Sequence, residues 1–94
     1  MSDAIVEQIR LQNEREIEHL KVVIKRLGKT DANGNYVVTY GTLFKDDEVA
    51  NTFEGLSATL KNAKTKKILN YNSPLLLQGA HDNVEITLFA QHAN

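Results

Sequence analysis

The sequence predicts one α+β domain of winged-helix-like order: helix, strand, short helix, helix, then a two-stranded wing. Three observations lead there. An apolar stripe at helical spacing lies near the start, a second follows an acidic cap in the middle, and short β-rich runs separated by turn residues complete the chain. Ninety-four residues allow one core and not two.

In the first helix Ile17, Leu20, Ile24 and Leu27 form one stripe for a core. Ile5 and Ile9 begin a similar stripe, but the intervening stretch from Arg10 to Glu16 is almost wholly polar. The reading is a helical N-terminal extension over residues 1–13 and a packed domain over residues 14–89. Gly28 stands where a left-handed C-terminal cap is expected. Asp31-Ala32-Asn33-Gly34-Asn35 is written in turn residues, and Tyr36 to Tyr40 has the β-branched and aromatic make-up of a strand.

Gly41 ends that strand, and Thr42 to Lys45 is long enough for one helical turn. Asp46-Asp47 offers an N-cap, with Glu48 favourable in the first turn. Val49, Phe53, Leu56, Leu60 and Ala63 then predict one long helix. Ile68 to Tyr71 reads as a strand, Asn72-Ser73-Pro74 interrupts it, and Leu75-Leu76-Leu77 is a short apolar run. Val84 to Leu88 alternates, so it is a strand with one buried face, and residues 90–94 are expected as a flexible tail.

Composition excludes several classes. Plentiful aliphatic residues and a net charge of -1 argue against disorder and against the basic field of most nucleic-acid binders. The chain has no Cys, which removes disulfides and thiolate chemistry and suits a reducing, cytoplasmic setting. No apolar run approaches membrane-spanning or secretory length, so a soluble chain is expected.

The chemical motifs fail one by one. Gly28-Lys29-Thr30 resembles the end of a phosphate-binding loop, but Val23 occupies the position of its first Gly and a helix precedes it. Asp31, Asn33 and Asn35 alternate like a calcium loop, yet Tyr36 and Thr42 stand where that loop needs Gly and Glu. His19, His81 and His92 have no second ligand at metal spacing, and Ser2, Ser57 and Ser73 lie in no nucleophile context. The expectation is no enzyme, no metal and no cofactor.

Lys61, Lys64, Lys66 and Lys67 cluster at the end of the long helix, where they offset its dipole and offer a contact for an acidic protein surface. Reversing all four charges is expected to abolish partner binding and leave thermal stability unaltered. His81 and Asp82, in the wing, are a second candidate contact. The alternative is a winged-helix nucleic-acid module, but Asp46, Asp47, Glu48 and Glu54 crowd the part of the helix that would face bases. The three arginines all lie in the first helix. A scaffold would instead use the Ile5, Ile9 and Ile17 side of the first helix; a monomer is expected.

From about Ile24 the chain closely resembles the Costars family, named for the C-terminal domain of the muscle actin-binding Rho-activating protein. The resemblance is carried by Ile24-Lys25-Arg26-Leu27-Gly28, Gly41-Thr42-Leu43-Phe44-Lys45-Asp46-Asp47, Leu60-Lys61-Asn62-Ala63-Lys64, Lys67-Ile68 and Leu75-Leu76-Leu77-Gln78-Gly79-Ala80-His81-Asp82. It implies a winged-helix-like fold, no catalysis, and a cytoskeletal role in actin-filament organisation and cell motility. The implied partner is actin or a cofilin-type actin-regulating protein. The family's usual Pro after the wing tyrosine is replaced by Asn72, with Pro74 two residues later.

Overall fold

The computed structural model describes residues 3–53 and 55–93. Helix α1 (Asp3–Leu27) runs unbroken through the polar stretch. That stretch consists largely of Arg, Leu, Gln and Glu, which favour helix without a core to cover. From Ile17 onward one face turns inward: Ile17, Leu20, Val23 and Ile24 are buried, and Leu27 packs at their edge. The side of α1 that a scaffold would use is therefore divided. Ile17 belongs to the core, Ile9 is exposed, and the Ile5 side chain lies outside the described residues.

Gly28 is not the left-handed cap expected of it. The positive-φ glycines are Gly34 and Gly79. Gly28 is instead a point of close approach, because a Cβ there would sit 2.8 Å from the carbonyl oxygens of both Ile24 and Val37. Its amide donates to Ile24 O at 2.7 Å, and the chain passes directly into β1 (Lys29–Thr30), a short strand with no signal in the sequence pattern.

The turn between β1 and β2 (Tyr36–Thr39) is organised by Asp31. Its Oδ1 accepts from the amides of Asn33 at 2.8 Å and Asn35 at 3.0 Å. Desolvation works to raise the Asp31 pKa, but these amides and the Asn35 side chain outweigh it and hold the group below the ordinary carboxylate value. The calcium-like spacing is an ordinary turn.

Tyr40, expected to end the strand, begins α2 (Tyr40–Lys45), with Thr39 as its N-cap. Asp46 caps α3 (Asp47–Thr52), its carboxylate accepting from the Val49 amide at 3.3 Å. The single long helix that the periodicity predicts is in fact two. Phe53 leaves α3 in an extended conformation, and α4 (Leu56–Thr65) restarts after Gly55. Asn51, Thr52 and Gly55 are poor helix formers, so the break costs little. The apolar stripe survives it: Val49, Phe53, Leu60 and Ala63 are buried, and Leu56 packs against them.

Strands β3 (Leu69–Asn70) and β4 (Glu85–Leu88) complete an antiparallel sheet of order β1-β2-β4-β3. Val38 faces Ile86, and Leu69 faces Leu88. All four side chains are buried beneath α1 and α4. The α+β, winged-helix-like order is as the sequence predicts, with β1 added and the expected long helix divided into α3 and α4. Residues 90–93, expected as part of a flexible tail, are packed. Ala90–His92 form a 3₁₀ turn, Ala93 is buried, and the Ala90 amide donates to Asn35 Oδ1 at 2.8 Å.

Candidate functional site

Between β3 and β4 the chain makes a long irregular wing from Tyr71 to Val84, whose first part borders a cleft with the start of α4. Tyr71 is buried at its root. Leu76 is buried while Leu75 and Leu77 stand in solvent, 58% and 53% exposed. Opposite them α4 presents Ser57 and Ala58, whose short side chains leave the wall low. The result is a cleft of about 230 Å³ lined by these residues together with Lys61, Tyr71, Pro74 and Leu76.

The leucine wall is held from behind. The Ser73 hydroxyl donates to the Leu75 carbonyl. His81 Nδ1 accepts the Leu77 amide at 2.9 Å, and the His81 amide donates back to Leu77 O at 2.9 Å. Asp82 Oδ1 accepts from the Gly79 amide at 2.7 Å, while its carbonyl accepts from Gly41 in α2 at 2.9 Å. His81 and Asp82, predicted as contact residues, thus have one side-chain polar atom each, Nδ1 and Oδ1, engaged in shaping the wing. An acceptor Nδ1 requires the neutral imidazole to carry its proton on Nε2.

The four lysines do not form one patch. Lys61 borders the cleft. Lys64 is half-buried against Tyr71: Nζ donates to the Tyr71 carbonyl at 2.7 Å and lies 4.3 Å from the ring centre. Lys66 is exposed at the C-cap of α4. Lys67 borders a different hollow, with Asn35, Phe89, Ala90 and Gln91. Reversing all four charges would therefore damage the fold through Lys64, contrary to the sequence-based expectation.

Leu75, Leu77, Tyr71, Ser57 and Ala58 line the cleft although no sequence motif marks them as site residues. The signal is present in Leu75-Leu76-Leu77, since three consecutive extended residues cannot all face one core. His19, a surface residue by sequence pattern, hydrogen-bonds Glu48 at 2.8 Å and stacks on Phe53 with ring centres 5.2 Å apart. Asp46 and Glu48 at the start of α3 are likewise engaged, with Arg26 on Asp46 at 2.7 Å and 3.8 Å from Glu48.

Among the described residues no group of three or more His, Cys, Asp or Glu is placed to hold a metal ion. No helix among them is long and apolar enough to cross a membrane.

The Costars family profile matches residues 12–89. A Costars family protein of Oryza sativa subsp. indica is 56% identical over 75 residues, covering 80% of this chain and 86% of that protein. The Costars family protein ABRACL of Danio rerio is 49% identical over 75 residues, 80% of this chain and 93% of that protein. The solution structure of human HSPC280 protein superposes with a TM-score of 0.74 at 48% identity, covering 82% of this chain and 91% of that one. By sequence across most of its length, and by fold, this chain belongs to the Costars family.

Proposed function

We propose that this Costars domain is a non-enzymatic regulator of actin-filament organisation and cell motility, acting in the cytoplasm by binding actin or a cofilin-type actin-regulating protein. The process is what family membership implies, through the family's link to the C-terminal domain of actin-binding Rho-activating protein. The mode of action rests on one observation: a chain of net charge -1 carries Lys61, Lys66 and Lys67 exposed at one end of α4 and just beyond it. Exposed cations on a nearly neutral chain favour an acidic protein surface, and their contribution weakens with salt.

The test is co-sedimentation with actin filaments, with and without a cofilin-type severing protein, followed by cross-linking. Lys61, Lys66 and Lys67 are reversed to Glu, and Lys64 is left in place because it supports Tyr71. Loss of binding at unchanged thermal stability is the expected result. Undiminished binding by the triple variant would remove the lysines from the contact. Absence of binding by the unaltered chain to both proteins would overturn the actin assignment.

A further inference from the structure

We infer that the cleft between α4 and the Pro74–Leu77 segment docks an acidic, amphipathic segment of a partner protein. The partner's apolar side chains sit against Leu75 and Leu77, and its carboxylates face Lys61. This rests on the reading above, that the domain acts by protein contact, and adds the surface and the chemistry of what it takes.

Single exposed leucines are ordinary on a protein surface. Leu75 and Leu77 differ from that because they are more than half exposed, stand two residues apart in the chain, and line one cleft together. Ser57 and Ala58 opposite them are small enough to let a partner's side chains reach Tyr71 and Pro74. The charge around the cleft has one sign. Lys61 is the charged residue among those lining it, and among the described residues no carboxylate lines it. Lys64, one turn further along α4, is already committed to Tyr71, so Lys61 is the cation at the rim that selects for acidic partners.

The wall is also preorganised. Leu75 is held by Ser73, Leu77 by His81, and the following turn by Asp82. A partner therefore does not have to order this loop on binding, which removes one of the main costs of docking to an exposed segment. A bilayer surface would call for several free cations around the apolar tips. A nucleic acid would call for cations without them. One lysine beside two leucines fits an acidic peptide with apolar anchors.

The test selects random short peptides displayed on phage against the full chain, with the Leu75→Ser/Leu77→Ser variant as the counter-selection. Enriched peptides are synthesised and titrated into ¹⁵N-labelled protein. The expected result is peptides that combine acidic residues with paired apolar ones and shift the amides of Ser57, Lys61, Tyr71, Leu75 and Leu77. Their affinity should fall roughly tenfold or more in the double-serine variant and in Lys61→Glu. Both leucines are exposed, so the thermal transition of the serine variant should match that of the parent. Failure to enrich any peptide, enrichment without acidic residues, or shifts elsewhere on the surface would overturn the inference. A chain that binds such peptides but ignores actin and a cofilin-type protein keeps this inference and overturns the actin reading. A chain that enriches no peptide yet binds actin at full strength after the double-serine change does the reverse.

Discussion

Lys64 and Tyr71 hold the root of the wing to α4 through two contacts at once: an ammonium-to-carbonyl hydrogen bond of 2.7 Å and a cation 4.3 Å from the ring centre. The pair fixes where the wing leaves β3 and so the distance between the leucine wall and the helix. Hydrogen bonds made by charged groups contribute about 1.5–3 kcal/mol each, and an exposed cation–π contact roughly 0.5–1. Lys64→Met keeps the aliphatic stem and removes both contacts. It should destabilise the domain by about 1–3 kcal/mol in urea unfolding, whereas Lys61→Met should change stability by less than about 0.5. Equal effects of the two substitutions would show that the Tyr71 contact contributes nothing.

The same pair makes alkaline pH a probe of the wing. Burial raises the Tyr71 phenol above the ordinary tyrosine value, and burial together with the Asp82 charge does the same for Tyr40. An acid whose folded pKa is raised binds more protons folded than unfolded at high pH, so unfolding free energy falls as pH rises. Stability should hold up to the unfolded tyrosine pKa of about 10 and decline above it. Tyr71→Phe should flatten that decline, which denaturant midpoints measured across the alkaline range would show.

Lys67 sits at φ 60°, in the left-handed region that glycine normally occupies just beyond a helix end. The hydrogen bonds identify the motif: Lys67 N–H donates to Lys64 O at 3.0 Å and Ile68 N–H to Ala63 O at 3.0 Å, the paired bonds of a Schellman cap. A non-glycine residue there costs roughly 1 kcal/mol. Lys67→Gly should therefore raise stability by about that amount, a shift of several degrees for a domain this size, while Lys67→Ala should leave it nearly unchanged. If the lysine side chain contacts the partner, the more stable glycine variant binds less well.

Much of this is legible in the sequence, and the failures have physical causes. The stripes ending at Leu27 and Ala63 locate the core because burial follows periodicity whatever the backbone does between turns. For the same reason the stripe from Val49 to Ala63 conceals the break at Phe53, whose side chain stays buried while its backbone leaves the helix. The packing of residues 90–93 is hidden because the anchor of Ala90, Asn35, lies 55 residues earlier in the chain. The lysines form a patch in sequence but not in space. Beyond a helix end the chain changes direction, and Lys67 leaves the face on which Lys61 lies.

Gly28 and Gly79 separate two reasons for glycine. Gly79 has φ +91°, and a Cβ added there would meet nothing within 4 Å, so Gly79→Ala meets backbone strain alone. Gly28 has an ordinary φ but would place its Cβ 2.8 Å from two backbone carbonyl oxygens, one in α1 and one in β2. Backbone cannot move aside as a side-chain tip can, so Gly28→Ala must spread the helix from the sheet. A cost of about 1–3 kcal/mol or more is expected, of the size seen when cores are overpacked. Thermal unfolding of the two alanine variants checks this, with chemical-shift changes reaching Val37 and Val38 in the Gly28 variant.

Asp46 carries two duties that pH can separate. It caps α3 through the Val49 amide and pairs with Arg26 at 2.7 Å. The Arg26 hydrogen bond is the largest influence on its carboxyl; against desolvation, and aided by the Val49 and Glu48 amides, it holds the pKa below the ordinary carboxylate value. A group with a depressed folded pKa contributes stability above its unfolded pKa and loses it as pH falls through the folded one. The parent should therefore lose stability on acidification below about pH 4. Asp46→Asn retains an acceptor for the cap and removes the charge, so it should be less stable than the parent at neutral pH and converge with it in acid. Asp46→Ala loses the cap as well and should stay below the parent at every pH. Parallel acid profiles for the parent and Asp46→Asn would mean that the pairing with Arg26 contributes nothing to the fold.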